Sequence, residues 1–305
     1  MSARRQGPTI SIVVAVLNEA PYIRETLESV LDQDYPNLEI HVQDGGSTDG
    51  TLEILRSLGV HFVSEPDAGV PDAFNRGIRA TSGELVMVAD DPLLPGALTT
   101  LSAALEANPD AAFAYGDVEF IDASGRAFDR IRSRSFDLDE LFWGNHVATQ
   151  SVLMRRSALV GVGLYRTDVL NADWDLWLRM GARHASVYVP ALLARYRVHE
   201  QSTTLRNMKR FAWSMEAVAD HALEDPVVLS RLRKGRDRAY AGSHLTASAL
   251  YVYAGDWRRG MTLFARSIRR HPRALLTRRG AGAVLALSSG RRLYGSIRNR
   301  GRGRG

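Results

Sequence analysis

Two adjacent acidic residues, Asp90 and Asp91, carry the clearest chemical signal in this sequence. They follow the apolar run Leu85–Val88 and precede the turn formers Pro92 and Pro95. A strand that ends at paired carboxylates presents hard oxygen ligands at the edge of a sheet. This arrangement suits a divalent cation that also contacts a phosphate group.

A glycine-rich turn, Asp44–Thr51 (DGGSTDGT), is the second feature whose residues could bind a ligand. Its glycines allow the backbone to approach a ligand closely, and the Asp44 carboxylate can accept the N–H of a pyrimidine or guanine base. The turn also caps the next helix through Ser47, Thr48 or Asp49. It has neither the Gly-Lys-Ser/Thr of a Walker loop nor a Gly-x-Gly-x-x-Gly fingerprint, so P-loop and nicotinamide chemistry lose support.

The elements that must position these residues alternate along the first 90 residues. Because parallel strands need crossover helices, this βα alternation predicts a mainly parallel, doubly wound α/β sheet with helices on both faces. Ligands of such sheets bind beyond the carboxyl ends of the strands, where Asn18–Glu19, Asp44, Glu65–Asp67 and Asp90–Asp91 fall. The apolar patterns predict strands at residues 10–17, 38–42, 61–63 and 85–88, and helices at residues 23–33, 52–58 and 73–80.

From about Asn207 the pattern becomes helical, with a break at Gly255–Asp256. We predict a helical hairpin similar to one tetratricopeptide-type unit, which packs on the main domain or on a partner. The predicted organisation is therefore an α/β domain at 8–206, a helical region with a basic C-terminal segment at 207–298, and a disordered Arg/Gly tail at 299–305.

The composition excludes several classes of protein. With 305 residues, 45% hydrophobic and 24% charged, the chain can bury a large core and is neither disordered nor fibrous. It has no cysteine, which excludes disulfides and thiolate metal sites. Residues 1–9 lack the apolar core of a signal peptide, and no apolar window approaches the ~20 residues of a membrane span. We therefore expect a cytoplasmic location, with peripheral binding to the inner face of the membrane as a further option.

The net charge of +5 conceals a strong asymmetry. All 34 acidic residues lie within residues 1–256, whereas the last 49 residues contain 14 arginines and no Asp or Glu. Such a tail is either a solvated extension or a segment that binds anionic lipid headgroups or, less selectively, nucleic acid. The apolar segment at residues 283–287 makes an interfacial location at a membrane equally reasonable.

A series of short motifs runs through the first two thirds of the chain. In chain order they are VAVLNE (14–19), DGGSTDGT (44–51), SEPDAG (64–69), NRGI (75–78), ADD with PGAL (89–91 and 95–98), TQSVLMRR (149–156), DWDLWLR (173–179) and RVH (197–199). One motif would mean little, but the ordered set is specific. In this set the chain resembles glycosyltransferase family 2 over roughly residues 8 to 204.

The resemblance implies a GT-A fold and an inverting transfer of a sugar from a UDP-, dTDP- or GDP-sugar to an acceptor hydroxyl. In this resemblance Asp44 binds the base, Asp90 meets the ribose or bridges to the metal, and Asp91 coordinates Mn²⁺ or Mg²⁺. His199 is implied as a further ligand near the metal or diphosphate. The full set of implied donor-binding positions is Ala15, Val16, Asn18, Glu19, Asp44, Asp67, Asn75 and Asp90.

Asp173 matches the family's catalytic base, which takes the proton of the attacking acceptor hydroxyl. Asp173 is also well placed to cap the helix that follows it, and Asp175 is the rival base. On the acceptor side the resemblance suggests His146, Gln150 and Trp174, since indole rings pack well on sugars. The expected acceptor is a polysaccharide or lipid-linked glycan, which would give the protein a role in the cell envelope.

Two other functions remain open at this stage. One is a catalytically degenerate homologue that binds a nucleotide-sugar or carbohydrate and scaffolds partners through its helical region. The other is a sugar nucleotidyltransferase, which would have a Gly-rich, Arg-containing loop after the first strand. This chain has Asn18-Glu19-Ala20-Pro21 at that position.

Overall fold

The computed structural model describes residues 7–199 and 207–277. Strands and helices alternate in the first half of these residues, and helices alone make up the last part. The strands are β1 (Ile10–Val16), β2 (Leu38–Asp44), β3 (Phe62–Ser64), β4 (Leu85–Val88), β5 (Ala111–Ile121), β6 (Ala127–Ile131), β7 (Val152–Arg155) and β8 (Ala185–Arg197). The helices are α1 (Ile23–Leu31), α2 (Thr51–Leu58), α3 (Val70–Ala80), α4 (Ala97–Ala107), α5 (Leu138–Leu141), α6 (Arg156–Gly161), α7 (Ala172–Arg183), α8 (Met208–Glu224), α9 (Pro226–Arg231), α10 (Arg236–Tyr253) and α11 (Trp257–Arg270), with short 3₁₀ turns at Thr149–Ser151 and Pro272–Leu276.

The strands form one mixed sheet in the order β3-β2-β1-β4-β7-β5-β6, and β8 pairs with β5. The pairs among β1, β2, β3 and β4 are parallel, as is the β5–β8 pair, whereas β7 runs antiparallel to both of its neighbours. The predicted α/β, doubly wound arrangement is therefore confirmed for the first half. The second half adds antiparallel strands that the sequence pattern did not predict.

The parallel register aligns the carboxyl ends of three neighbouring strands. Val16 of β1 lies opposite Asp44 of β2, and Asp44 lies opposite Ser64 of β3. On the other side of β1, the N–H of Ala89 donates to the carbonyl of Val13 at 3.0 Å. The chain therefore leaves β4 beside β1, and the residues after all four strands meet along one edge.

Both faces of the sheet are covered, so the central strands are apolar on both sides. Ile12 and Val14 of β1 pack in a cluster with the helices α1, α2 and α4. Val13 packs in the opposite cluster with α3 and α7. Every residue of β1 except Ala15 is buried.

The C-terminal helices belong to the second of these clusters. Buried residues of α8 and α10, including Val218 and Leu245, share it with Trp174 and Trp177 of α7. Gly242 of α10 lies so close to Trp143 that a Cβ at this position would be 2.8 Å from the indole Cγ. The helical region therefore packs directly on the α/β part of the chain.

None of the helices in the described residues combines the length and apolar character that a membrane span requires. The predicted Arg/Gly tail at 299–305 and most of the basic segment before it lie outside the described residues.

Candidate active site

The candidate site lies at the edge where β1 and β4 end. The chain passes from β1 to β2 on one side of the sheet and later returns to β4 on the other side of β1. This change of direction is a topological switch point, where ligands of doubly wound sheets bind. Asp90 and Asp91 follow β4 at this point.

Asp91 is held from two directions. Its Oδ1 accepts the backbone N–H of Arg197 at 2.8 Å, and its Oδ2 accepts the side-chain amide of Gln150 at 3.3 Å. The residue is only 8% exposed. Burial, followed by the charge of Asp90, raises the pKa of Asp91 well above its ordinary value.

Asp90 keeps access to solvent, although protein atoms surround its carboxylate on most sides. This enclosure, followed by the negative charge of Asp173, raises the pKa of Asp90. Asp90 therefore lies between two other carboxylates, Asp91 next to it in the chain and Asp173 across the site.

Asp173 lies in the first turn of α7. Its Oδ2 accepts two hydrogen bonds, from the amide of Asn145 and from the hydroxyl of Thr149, each at 3.0 Å. Burial is the largest influence and raises the pKa of Asp173, while these donors act in the opposite direction. The charge of Asp173 thus acts on Asp90, and the charge of Asp90 acts on Asp91.

Asp175 has a different environment. It is fully buried and forms an ion pair of 2.6 Å with Arg179, one turn later in α7. Arg179 also donates to the carbonyls of Val162 and Leu164, so it ties the start of α7 to the preceding loop. This pairing leaves Asp175 as a structural residue.

The loop after β1 is held to the glycine-rich turn. Asn18 has a left-handed backbone with φ of 55°, its N–H donates to Ser47 Oγ at 2.7 Å, and its side-chain oxygen accepts the N–H of Thr48 at 2.9 Å. The N–H of Glu19 donates to Thr51 Oγ1 at 3.0 Å. Burial, followed by the charges of Asp90 and then Asp49, raises the pKa of Glu19 to about 7.

The donor set fits a hard divalent cation. Asp90 and Asp91 supply anionic oxygens, and a bound cation would favour the ionised carboxylates against the burial and charge repulsion that raise both pKa values. Within residues 7–199 and 207–277 no group of three or more His, Cys, Asp or Glu forms a closed metal cage. Mg²⁺-type sites commonly use one or two carboxylates and take their other ligands from substrate phosphates and water.

Comparison with known proteins identifies the family of this chain. The model of glycosyl transferase family 2 matches residues 11–161. A PGL/p-HBAD biosynthesis glycosyltransferase of Mycobacterium tuberculosis is 32% identical over 201 residues, which span 62% of this chain and 74% of the relative. The chain belongs to glycosyl transferase family 2. An uncharacterized glycosyltransferase of Rickettsia typhi is 30% identical over 223 residues, with 67% and 68% of the two chains covered.

Solved structures confirm the GT-A fold of this glycosyltransferase. S. aureus TarS in complex with UDP-GlcNAc superposes with a TM-score of 0.62 at 14% identity, covering 84% of this chain and 90% of that one. A mannosyltransferase from Pyrobaculum calidifontis, in complex with GDP-Man and Mn²⁺, gives a TM-score of 0.56 at 21% identity and covers 92% and 86%. At these identities the likeness concerns the fold alone.

Three residues expected to contact substrates lie in the interior of this glycosyltransferase. Trp174 is 1% exposed and its indole N–H donates to the carbonyl of Leu141, so it packs the core and cannot stack on an acceptor sugar. His146 is also buried, with its ring against Phe136. The buried side chain of Asn75 bonds both backbone polar groups of Tyr165, at 2.7 and 3.0 Å, and so fixes that loop.

Two further predicted contacts, Val16 and His199, occupy different surroundings. The side chain of Val16 is buried, and its carbonyl accepts the N–H of Gly45, so only its backbone borders the site. The ring of His199 packs at 4.8 Å from that of Tyr22, just beyond β8. The guanidinium of Arg197 lies over the same Tyr22 ring, 4.9 Å from its centroid, and pairs with Glu25.

Sequence reasoning missed Asn145 and Thr149, the two donors to Asp173. Thr149 opens the motif TQSVLMRR, directly before Gln150, so a signal for it was present. Asn145 lies outside every motif, and only the folded chain brings it to α7.

Proposed function

We propose that this glycosyltransferase moves a sugar from a nucleoside diphosphate donor to an acceptor hydroxyl with inversion at the anomeric carbon. The observation that carries the proposal is that two consecutive residues, Thr149 and Gln150, donate hydrogen bonds to Asp173 and Asp91 at the switch point of the sheet. Asp90 and Asp91 are adjacent in the chain, and Asp173 approaches from a separate helix. One side can therefore hold the diphosphate while the other serves the acceptor.

Asp173 is the proposed general base. A single displacement needs one carboxylate that takes the acceptor proton as the oxygen attacks, and it needs no covalent nucleophile. The raised pKa of Asp173 favours this role, because a more basic carboxylate holds the proton better once it has been transferred. Asn145 and Thr149 fix the position of the carboxylate during the reaction.

Asp91, together with Asp90, is the proposed attachment point for Mn²⁺ or Mg²⁺. A bound divalent cation offsets the negative charge that develops on the leaving diphosphate. Gln150 and the backbone of Arg197 orient the Asp91 carboxylate, and Asp90 beside it is exposed. His199 lies near this corner but packs on Tyr22, so we assign it a supporting position beside the diphosphate.

Two observations support a nucleotide-sugar as the donor: the residues at the ends of β1 and β2, and the ligands of solved structures with a similar fold. TarS was solved with UDP-GlcNAc and the Pyrobaculum mannosyltransferase with GDP-Man and Mn²⁺. We place the nucleoside of a UDP-, dTDP- or GDP-sugar along the ends of β1 and β2, against Ala15, Asn18 and Glu19. The relative from Mycobacterium is named for PGL/p-HBAD biosynthesis, which supports a lipid-linked or other cell-envelope glycan as acceptor.

A basic surface of α11 and the following turn supports peripheral binding to a membrane. This surface, which we call the α11 face, is rich in arginine and also exposes large apolar side chains. None of its four arginines forms an ion pair within the described residues, which leaves their charge available to anionic headgroups. The α11 face comprises Trp257, Arg258, Met261, Arg266, Arg269, Arg273, Leu275 and Leu276.

The proposal is tested by nucleotide-sugar binding and turnover in three variants. Thermal stabilisation by UDP-, dTDP- and GDP-sugars is measured with and without Mn²⁺, because a ligand of the native state raises its apparent stability. We expect Asp91→Ala to lose the Mn²⁺-dependent stabilisation. We expect Asp173→Asn to keep it while turnover falls about 10²- to 10⁴-fold.

The matched control is Asp168→Asn, which removes the same charge from an exposed ion pair with Arg166. It should leave both binding and turnover unchanged. The proposal would be contradicted if Asp173→Asn kept full turnover. It would also be contradicted if nucleotide-sugars stabilised the protein equally with and without Mn²⁺.

A further inference from the structure

The helices α7 and α8 run side by side in the same direction. Beside the start of α7, Ser214 Oγ of α8 accepts the backbone N–H groups of Leu170 and Asn171, at 2.8 and 3.1 Å. At the other end of the pair, Arg183 of α7 forms an ion pair of 2.7 Å with Asp225, the residue after α8. The stretches of α7 and α8 between these two contacts have the same length, so α7 begins beside Ser214.

The first turns of α8 therefore extend past the start of α7. Residues 208–213, which we call the projecting segment, precede Ser214 and add about 9 Å of helix at the usual helical rise. Asp173 lies in the first turn of α7, and the side chains of a helix tilt toward its N-terminus. The proposed base and the projecting segment therefore lie at the same end of this helix pair.

The projecting segment exposes two cations and one indole. Lys209 and Arg210 are exposed, and Trp213 is 45% exposed. Trp213 follows the two cations by four and three residues, so the three side chains share one face of the helix. Neither cation forms an ion pair with a residue in 7–199 or 207–277, and the sequence has no Asp or Glu in residues 201–215. Their charge is therefore available to an anionic ligand on the side of the site that holds Asp173.

Two hydrogen bonds connect α8 to α11, which carries the other basic surface of the helical region. Glu216, one helical turn after Trp213, accepts the hydroxyl of Tyr251 at 2.9 Å and the guanidinium of Arg259 at 3.2 Å. Arg259 lies in the first turn of α11, two residues after the exposed Trp257 of the α11 face. The projecting segment and the α11 face thus lie on adjoining helices, and both combine cations with an exposed indole. This composition is typical of helices that lie at a membrane interface.

We infer that the projecting segment of α8 binds the phosphate headgroups of an anionic membrane, an inference that rests on the proposed function. Lys209 and Arg210 pair with phosphate oxygens, and the indole of Trp213 lies among the headgroups. This contact turns the side of the site that holds Asp173 toward the bilayer. Because the segment is only about two helical turns long, the accepting hydroxyl lies close to the lipid anchor of the acceptor.

The first test reverses the two charges of the projecting segment. Lys209→Glu combined with Arg210→Glu should weaken co-sedimentation with vesicles of phosphatidylcholine and phosphatidylglycerol at least 10-fold, as estimated from roughly additive contributions of single cations. The matched control reverses Arg79 and Arg231, which are likewise exposed and form no ion pair in the part of the chain that the structure describes. This control should bind the vesicles as the wild type does.

The second test uses the indole of Trp213 and leaves the charge unchanged. Anionic vesicles that contain bromine-labelled phosphatidylcholine quench the fluorescence of indoles that lie among the lipids. We expect less quenching in Trp213→Phe than in the wild type, because this variant lacks one of the indoles at the interface. The same exchange at the fully buried Trp177 should leave the quenching unchanged. Stabilisation by nucleotide-sugars with Mn²⁺ is measured in parallel and verifies that each variant is folded.

Two results would overturn this inference alone. One is equal vesicle binding by the two double variants, and the other is equal quenching in Trp213→Phe and the wild type. If soluble glucose 6-phosphate, but not vesicles, changed the fluorescence of Trp213, the segment would bind a soluble anionic sugar instead. A wild type that does not bind anionic vesicles would overturn the inference together with the proposed membrane contact. The proposed sugar transfer fails separately, if no nucleotide-sugar stabilises the wild type with Mn²⁺.

Discussion

The hydroxyl of Thr149 donates to the Oδ2 of Asp173 at 3.0 Å, and the amide of the next residue, Gln150, donates to Asp91. Two consecutive residues therefore hold the proposed base and the proposed metal ligand. The segment that contains Thr149 and Gln150 therefore links the position of Asp173 to the position of Asp91. A displacement of this segment would move both carboxylates together.

Thr149→Val should alter the proposed base without affecting nucleotide binding. The hydroxyl stabilises the ionised form of Asp173 by about 1 kcal/mol, so its loss raises the pKa of that carboxyl. We expect the acidic limb of the pH–rate profile to move to higher pH, and kcat on that limb to fall roughly 5-fold. Thr99→Val, a similar exchange at an exposed position of α4, should leave the profile in place. An unmoved limb in Thr149→Val would contradict the assignment.

Asp175→Asn should act on stability instead of on chemistry. The exchange leaves the guanidinium of Arg179 buried beside a neutral side chain, and breaking a buried ion pair in this way costs about 3–5 kcal/mol. Urea denaturation measures the free energy of unfolding directly. If Asp175→Asn were as stable as the wild type but inactive, Asp175 would replace Asp173 as the better candidate for the base.

Gly242→Ala should reduce activity from a distance. Its Cβ would meet the ring of Trp143 at 2.8 Å, and overpacking of this kind costs about 1–3 kcal/mol. Because Asn145 follows Trp143 by two residues and donates to Asp173, we expect kcat to fall with little change in the KM for the donor. Gly161→Ala is the control, since a Cβ there meets nothing within 4 Å. Equal kcat values in the two variants would argue against this coupling.

His244 should make the helical region sensitive to acid. Burial, followed by the charges of Arg270 and Arg266, lowers the pKa of His244 to about 4, while Asp220 acts weakly in the opposite direction. The unfolded chain takes up this proton near pH 6.5, before the native protein does. Protonation therefore favours unfolding, and stability that is complete above pH 6.5 is lost as the pH falls toward 4.

The expected loss from this group is on the order of 2–3 kcal/mol. His244→Gln should unfold in urea with a smaller difference between pH 7 and pH 5 than the wild type. The corresponding exchange at exposed His61 serves as the control. If the free energy of unfolding of the wild type and of His244→Gln changed equally between pH 7 and pH 5, groups other than His244 would determine the acid sensitivity.

The α11 face should bind anionic vesicles. Each arginine near such a surface contributes about 1 kcal/mol, so reversing Arg258 and Arg269 to glutamate should weaken binding at least 10-fold. Co-sedimentation with vesicles of phosphatidylcholine and phosphatidylglycerol measures this effect, and pure phosphatidylcholine vesicles test its dependence on charge. Reversal of Arg24 and Arg56, exposed arginines of α1 and α2, is the matched control. If the α11 variant and the control variant bound anionic vesicles equally well, the α11 face would not be the membrane-binding surface.

The sequence predicted best those features that depend on contiguous residues. The strands β1 and β4 are largely apolar runs and β2 alternates apolar with polar residues, so their existence and the position of Asp90 and Asp91 after β4 follow from local pattern. The strands β5 to β8 were not predicted, because their pairing is antiparallel in part and joins distant segments. The helical character after Asn207 was predicted, but its packing against Trp143 was not.

Side-chain direction was the weakest part of the prediction. An indole serves equally well in a core or against a sugar, and only the carbonyl of Leu141 beside its N–H settles the position of Trp174. The same holds for Asn75, whose two bonds to Tyr165 span 90 residues of sequence. Asn145 contacts Asp173 across 28 residues, so no local motif could have indicated it.

The contacts of α10 with Phe142 and Trp143 affect how this enzyme can be recombined with its relatives. Thr246 and Ser243 donate to the backbone carbonyls of Trp143 and Phe142, at 2.9 and 3.2 Å. A chimera joined at residue 206 would take residues 138–146, which include Asn145, from one parent. It would take α10, which packs on them, from the other parent. Productive exchange of the helical region therefore requires that residues 138–146 be transferred with it, although they lie about 60 residues earlier in the chain.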